Sequence, residues 1–182
     1  MTIPAALAAT HLLLAAAQAG APASQAAPAT PYPANPAARD SVEAWIDNTL
    51  SLAGYVAAGW SENALFFASI SGLSLDHYPT VRTTIWTEVI NPAAAAQAGW
   101  RSSTAEVEVD CVHDRYRELS RTYFADAGRR GAARPGAPAS GWDAPDRDTT
   151  MGTTVEEVCY RAKAAYDIYA KPDPAAAAGL RR

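Results

Sequence analysis

From Thr104 to Cys111 apolar and polar residues alternate without a break. Ala105, Val107, Val109 and Cys111 fall on one side, and Thr104, Glu106, Glu108 and Asp110 on the other. That is the period of a β-strand with one dry face and one wet face. "TVRTTIWTEVI" repeats the pattern, with Val81, Thr83, Ile85, Thr87 and Val89 opposite Arg82, Thr84, Trp86, Glu88 and Ile90, until Asn91-Pro92 stops it. "YVAAGW" and "ALFFASIS" are short, aromatic and β-branched, which predicts two more strands. "RYRELSRTYFAD" predicts another, with Leu119 and Tyr123 pointing inward and a turn at Asp126-Ala127-Gly128.

Two segments switch to a helical period. Val42, Trp45, Ile46, Thr49, Leu50 and Ala53 share one face, with Asp40 or Ser41 as cap, Asp40-x-x-Glu43 as a capping box and Gly54 as terminator. Val155, Val158, Cys159, Ala162, Ala165, Tyr166 and Tyr169 form a second stripe after Thr153-x-x-Glu156. The alanines after Pro92 and the stretch "GRRGAARPGAPASG" are expected to be loops. The fold class is α+β: a twisted antiparallel sheet of five or six strands, covered by the C-terminal helix, with an extra N-terminal helix, as one domain over 40–171.

Composition changes the picture mainly at the ends. The chain has 182 residues and a net charge of −4, without the basic stripe that nucleic acid requires. An apolar run from Ala5 to Ala17 precedes Ala17-Gln18-Ala19, which predicts a secretory signal peptide over 1–19, although Lys and Arg are missing from its start. An Ala/Pro-rich disordered linker over 20–39 and a tail over 172–182 complete the expected organisation. No other stretch is apolar enough to cross a bilayer, and no cysteine follows the apolar run to take a lipid. Export places both cysteines of the chain in an oxidising compartment, where one disulfide is expected.

The chemistry on offer is sparse. Cys111 and His113 form Cys-x-His, a weak metal signal that lacks two further ligands. The other reading of Cys111 is a bridge to Cys159, because a strand and a covering helix can bring two sulfurs into one layer. Such a bridge closes a loop of about 48 residues and contributes on the order of 4 kcal/mol. Asp76-His77 is a possible acid–base pair, but a turn beside Tyr78-Pro79 is the simpler reading. A nucleophile elbow, a glycine-rich phosphate loop and Cys-x-x-Cys are all missing, so neither catalysis nor a cofactor is expected. Arg115, Arg117 and Arg121 alternate along one strand and are expected to share a face with Leu119 and Tyr123, as a ladder for an anionic partner or as a charge face toward Glu106 and Glu108. Arg129, Arg130 and Arg134 make the following loop a candidate contact surface. The tryptophans at 45, 60, 86, 100 and 142 are expected mainly to pack the core and sheet.

From about Gly59 to Ala162 the chain resembles the surface-adhesin protein E family. "TIWTEV", the pair "EVDC…RYRELSRTYFADAG", the tryptophan of "GWDAPDRDTTM" and the closing "VEEVC" carry the likeness. The resemblance implies a bent antiparallel sheet covered on one face by a helix, and a bridge between Cys111 and Cys159. It implies an exported, non-catalytic envelope protein, periplasmic or at the cell surface, that binds a protein or an anionic glycan. The alternatives are a periplasmic small-ligand-binding or hydrolytic protein using the helix–sheet cleft, and a purely structural envelope protein.

Overall fold

The computed structural model describes residues 29–139 and 141–170. The expected signal peptide, the linker up to residue 28 and the tail lie outside the described residues. Six strands form one antiparallel sheet in chain order: β1 Tyr55–Trp60, β2 Ala64–Ser69, β3 Thr80–Val89, β4 Ser102–Asp110, β5 Arg115–Asp126 and β6 Arg130–Gly136. Each strand pairs antiparallel with the next in sequence, so no strand crosses over another. Three α-helices accompany them among the described residues: α1 Arg39–Thr49, α2 Pro92–Ala98 and α3 Thr150–Ala165, the last continued by a π-helical turn, Tyr166–Ala170.

The alternation of β3 and β4 sorts residues between two cores. On one face Ala58, Ala68, Val81, Ile85, Ala105, Val107 and Val109 pack against Val155, Val158 and Ala162 of α3. On the other, Leu65, Phe67, Trp86 and Ile90 pack against Val42 and Trp45 of α1. The N-terminal helix therefore covers the sheet too, but only at its β2–β3 end. Each fully buried aliphatic side chain in these layers contributes about 1.5–3 kcal/mol.

Helix boundaries differ from the sequence expectation because the capping side chains are engaged elsewhere. The Ser41 hydroxyl accepts the Asn35 N–H (2.9 Å), Glu43 pairs with Arg39 (2.7 Å), and α1 starts after Ala38 without a side-chain cap. It stops at Leu50 in extended backbone. Gly54, at φ 79°, turns the chain into β1 instead. Helix α3 starts earlier than expected: Thr149 is its cap, its hydroxyl accepting the Gly152 N–H (3.1 Å), while Thr153 donates to the Thr149 carbonyl (2.7 Å). Tyr166 stacks on Tyr78, but Tyr169, expected in the inward stripe, is 82 % exposed.

Two expected loops are elements. The alanines after Asn91 form α2, because the Asn91 side chain accepts the Ala93 and Ala94 N–H groups, Pro92 opens the first turn and Gly99 closes the last at φ 71°. "RGAARPG" is β6, an edge strand, where a proline costs no central ladder bond. Order also begins before Asp40. Residues of the expected linker are pinned to the sheet: Thr30 donates N–H and O–H to Asp126 (3.0 and 2.8 Å), and the Pro31 carbonyl accepts the Trp45 indole N–H (2.7 Å). The Arg101 guanidinium lies 3.6 Å from the Tyr32 ring centre and donates to the Thr30 carbonyl.

The inner end of β3 holds a buried acid. Glu88 is 0 % exposed. One oxygen accepts the Trp86 indole N–H (2.5 Å) and the Gly128 N–H (2.8 Å). The other oxygen, and Nε and Nη2 of Arg101, have no hydrogen-bond partner among the described residues. Burial pushes the Glu88 carboxyl up to about 8, against the pull of those two hydrogen bonds and of Arg101.

Candidate functional site

Past the reach of α1, the β3–β4–β5 portion of the second face is polar, and it carries the charge that the sequence pattern placed on β4. Register puts Arg82 opposite Glu108 and Glu108 opposite Arg117, with Asp110 opposite Arg115 one row away. Arg82 donates Nε and Nη2 to one oxygen of Glu108 (2.8 and 2.7 Å), and Arg117 donates Nε to the other (2.6 Å). Arg115 donates to Asp110 (3.0 Å), which also accepts the Val112 N–H (3.1 Å) and pairs with His113 (2.8 Å). The hydrogen bond from Arg82 leads in holding the Glu108 carboxyl below the usual carboxylate range. At Asp110 burial works upward, but His113, Arg115 and the Val112 N–H outweigh it and the result is a lowered value.

Trp142 closes one end of this row. Residues 142–143 lie against β5 because Tyr116 and Asp143 exchange backbone hydrogen bonds (2.8 Å each). The guanidinium groups of Arg115 and Arg117 sit 4.7 and 4.9 Å from the indole. Trp142 as a residue is 36 % exposed. Beyond the arginines, Thr84, Thr104, Glu106, Ser120 and Thr122 line a polar recess of about 300 Å³, with Arg82 at its edge.

The three arginines expected to form one ladder on β5 are divided between two faces, and the three expected in the following loop lie apart from one another. A bulge causes the first division. Glu106 pairs with Ser120 and Val107 with Glu118, so Leu119 has no partner and the alternation of β5 resets there. Arg115 and Arg117 stay on the open face, while Arg121 and Tyr123 turn to the α3 face, where Arg121 pairs with Glu118 and donates to the Ser103 hydroxyl (3.0 Å). Leu119 joins neither core cluster; Tyr116 is the β5 residue that packs against the α3 core. Arg134 lies 4.7 Å from the Tyr123 ring. Arg129 stacks 4.4 Å from Trp86. Arg130 donates to the Ala127 carbonyl (3.0 Å) and to the Thr30 hydroxyl (2.8 Å). Sequence reasoning missed Arg82, although the alternation of β3 had already placed it opposite the dry face. It also missed Trp142, and Trp60 at 44 % exposure, as solvent-facing rings.

The bridge joins Cys111, just past β4, to Cys159 of α3, with Cα atoms 5.4 Å apart. The Cys-x-His alternative loses its thiolate to this bond, and its His113 faces Asp110. Among the described residues, three or more His, Cys, Asp or Glu side chains nowhere gather as a metal site. A recess of about 320 Å³ opens beside the bridge, lined by Asp114, Arg147, Glu156 and Lys163 among others, but neither His77 nor His113 lines it.

The six-stranded antiparallel sheet, its covering C-terminal helix and the strand-to-helix disulfide define an α+β class of domain. The family model for surface-adhesin protein E matches residues 65–160, more than half of the 182-residue chain, and the chain belongs to that family. Solved structures similar to it include crystal form II of Haemophilus influenzae protein E, at 12 % identity and TM-score 0.48, covering 60 % of this chain and 90 % of that one. Protein E from non-typeable Haemophilus influenzae matches at 14 % identity and TM-score 0.45, covering 72 % and 90 %. Sequence comparison with curated proteins gives no match. No helix among the described residues is long and apolar enough to cross a membrane.

Proposed function

We propose that this family member is an exported, non-catalytic binding module of the cell envelope, and that its contact surface is the polar half of the sheet around Arg82, Arg115, Arg117 and Trp142. Residues 1–19 serve as the leader in this reading, and the folded part acts in the periplasm or at the cell surface. One observation supports it above others: three arginines and an indole converge on a part of the sheet that neither α1 nor α3 covers. Carboxylates beneath them fix their direction without neutralising all of their charge. The face against α3 is filled with aliphatic side chains, which gives no support to ligand binding or hydrolysis within that layer.

Envelope and extracellular extracts passed over the immobilised mature protein test the surface directly. The wild type is expected to retain a partner that the Arg117→Ala/Trp142→Ala variant releases. Equal retention by both proteins overturns the surface assignment. Intact mass of the native protein, with and without reduction before thiol labelling, tests export: a chain starting near Gly20 with both thiols protected is expected, and a full-length chain with two free thiols refutes it.

A further inference from the structure

We infer that the partner of this surface is an acidic polysaccharide, lying across β3, β4 and β5 from Trp142 to the recess lined by hydroxyls. The inference rests on the binding reading above and gives it a ligand class.

Charge is the first argument. A guanidinium carries five N–H donors. Arg82, Arg115 and Arg117 use Nε and Nη2 on the carboxylates of Glu108 and Asp110. Among the described residues their Nη1 groups have no hydrogen-bond partner, which leaves them for an outside acceptor. Glu108 and Asp110 are both buried while the three arginine side chains are 38–54 % exposed. Solvent therefore meets guanidinium, with the acids underneath. An anion is attracted here even though the whole chain is acidic.

The neighbouring rows set the kind of anion. Thr84, Thr104, Ser120 and Thr122 are short hydroxyl side chains that line one recess, and Glu106 beside them forms no ion pair among the described residues. Hydroxyls that both donate and accept, next to a carboxylate acceptor, match a ligand rich in hydroxyls. Strands about 4.8 Å apart space these groups at roughly the width of one sugar ring. Trp142 supplies a flat apolar surface for such a ring. A protein partner would call for an apolar interface centre with several aromatic anchors, whereas this face has a single indole among charges and hydroxyls.

Calorimetric titration of the full mature protein with polygalacturonate, dextran sulfate and neutral dextran tests the inference. One of the two acidic polymers is expected to bind, and the preferred one separates a carboxylate from a sulfate ligand; dextran is expected not to bind. Trp142→Ala and Ser120→Ala/Thr104→Val are each expected to weaken binding about tenfold, in line with loss of one anchor at a contact surface. Arg117→Lys keeps the charge and the fold but loses the fork geometry, and is expected to weaken it further. Arg134→Ala, on the opposite face, is expected to leave it unchanged. Simple ion exchange overturns the inference: binding that falls equally with Arg134→Ala and ignores Trp142→Ala. Capture of an envelope protein that depends on Arg117, with neither acidic polymer bound, overturns the glycan class and keeps the binding surface. Loss of both overturns both.

Discussion

At the scale of single residues, environment decides more than residue type. Glu88 looks like any strand glutamate in "TIWTEV", yet burial makes it an acid that favours its protonated form. Its folded value lies above its unfolded one, so its contribution is complete below the ordinary glutamate range. That contribution drains away as pH rises from there through about 8. Glu88→Gln keeps an acceptor for the Trp86 and Gly128 N–H groups and removes the titration. The variant is expected to equal the wild type near pH 4 and to exceed it by on the order of 4 kcal/mol at pH 8, read from urea unfolding at both values. An unchanged difference across that range rejects a neutral, buried Glu88. Asp126 acts in the opposite sense: burial raises it, but Thr30, the Ala127 N–H and Arg101 outweigh that and hold it low. Its stabilisation is present above the ordinary aspartate range and is lost as acid protonates it.

At the scale of elements, the sequence was legible where side chains alternate and opaque where backbone groups do the holding. Strands β3 and β4 announce themselves because each buries an aliphatic row. The disulfide was legible for the same reason, since Cys111 and Cys159 each continue an apolar row. The cross-link encloses 48 residues of sequence, which gives about 4 kcal/mol in the chain-entropy account. Cys111→Ala/Cys159→Ala is expected to lose about that much in denaturant titration, and wild type under reducing conditions should match it. A loss well under 1 kcal/mol would show that the bridge adds little to the packing of α3. The bulge at Leu119 was not legible, because skipping one partner needs no special residue, and it reassigned Arg121 and Tyr123 to the other face. Strand β6 was hidden by Gly and Pro, which an edge position tolerates. Helix α2 was hidden in an alanine run, although Asn91-Pro92 and Gly99 frame it.

At the scale of the whole molecule, the segment 29–33 binds distant parts together. Sequence composition hid it, because it contributes carbonyls, one hydroxyl and one ring instead of an apolar pattern. It engages Asp126 of β5, Arg130 of β6, Trp45 of α1 and Arg101. Removing residues 1–34 leaves Arg101 and the Trp45 N–H without these partners. Unsatisfied buried groups cost about 1–3 kcal/mol each, so the truncated protein is expected to melt well below the wild type in calorimetry. An unchanged melting temperature would mean that the domain starts at α1.

The bulge at Leu119 also bears on how this sheet can change over time. A one-residue slip in a strand exchanges its two faces. Pairing Leu119 with Glu106 would close the bulge and set Arg121 opposite Thr104 and Tyr123 opposite Ser102, both on the open surface, whereas deleting Leu119 would straighten β5 and leave Arg121 opposite Ala105. The central strands would keep their aliphatic rows throughout. Contact chemistry on β5 can thus be rewritten by a change of register alone, without a substitution in either core.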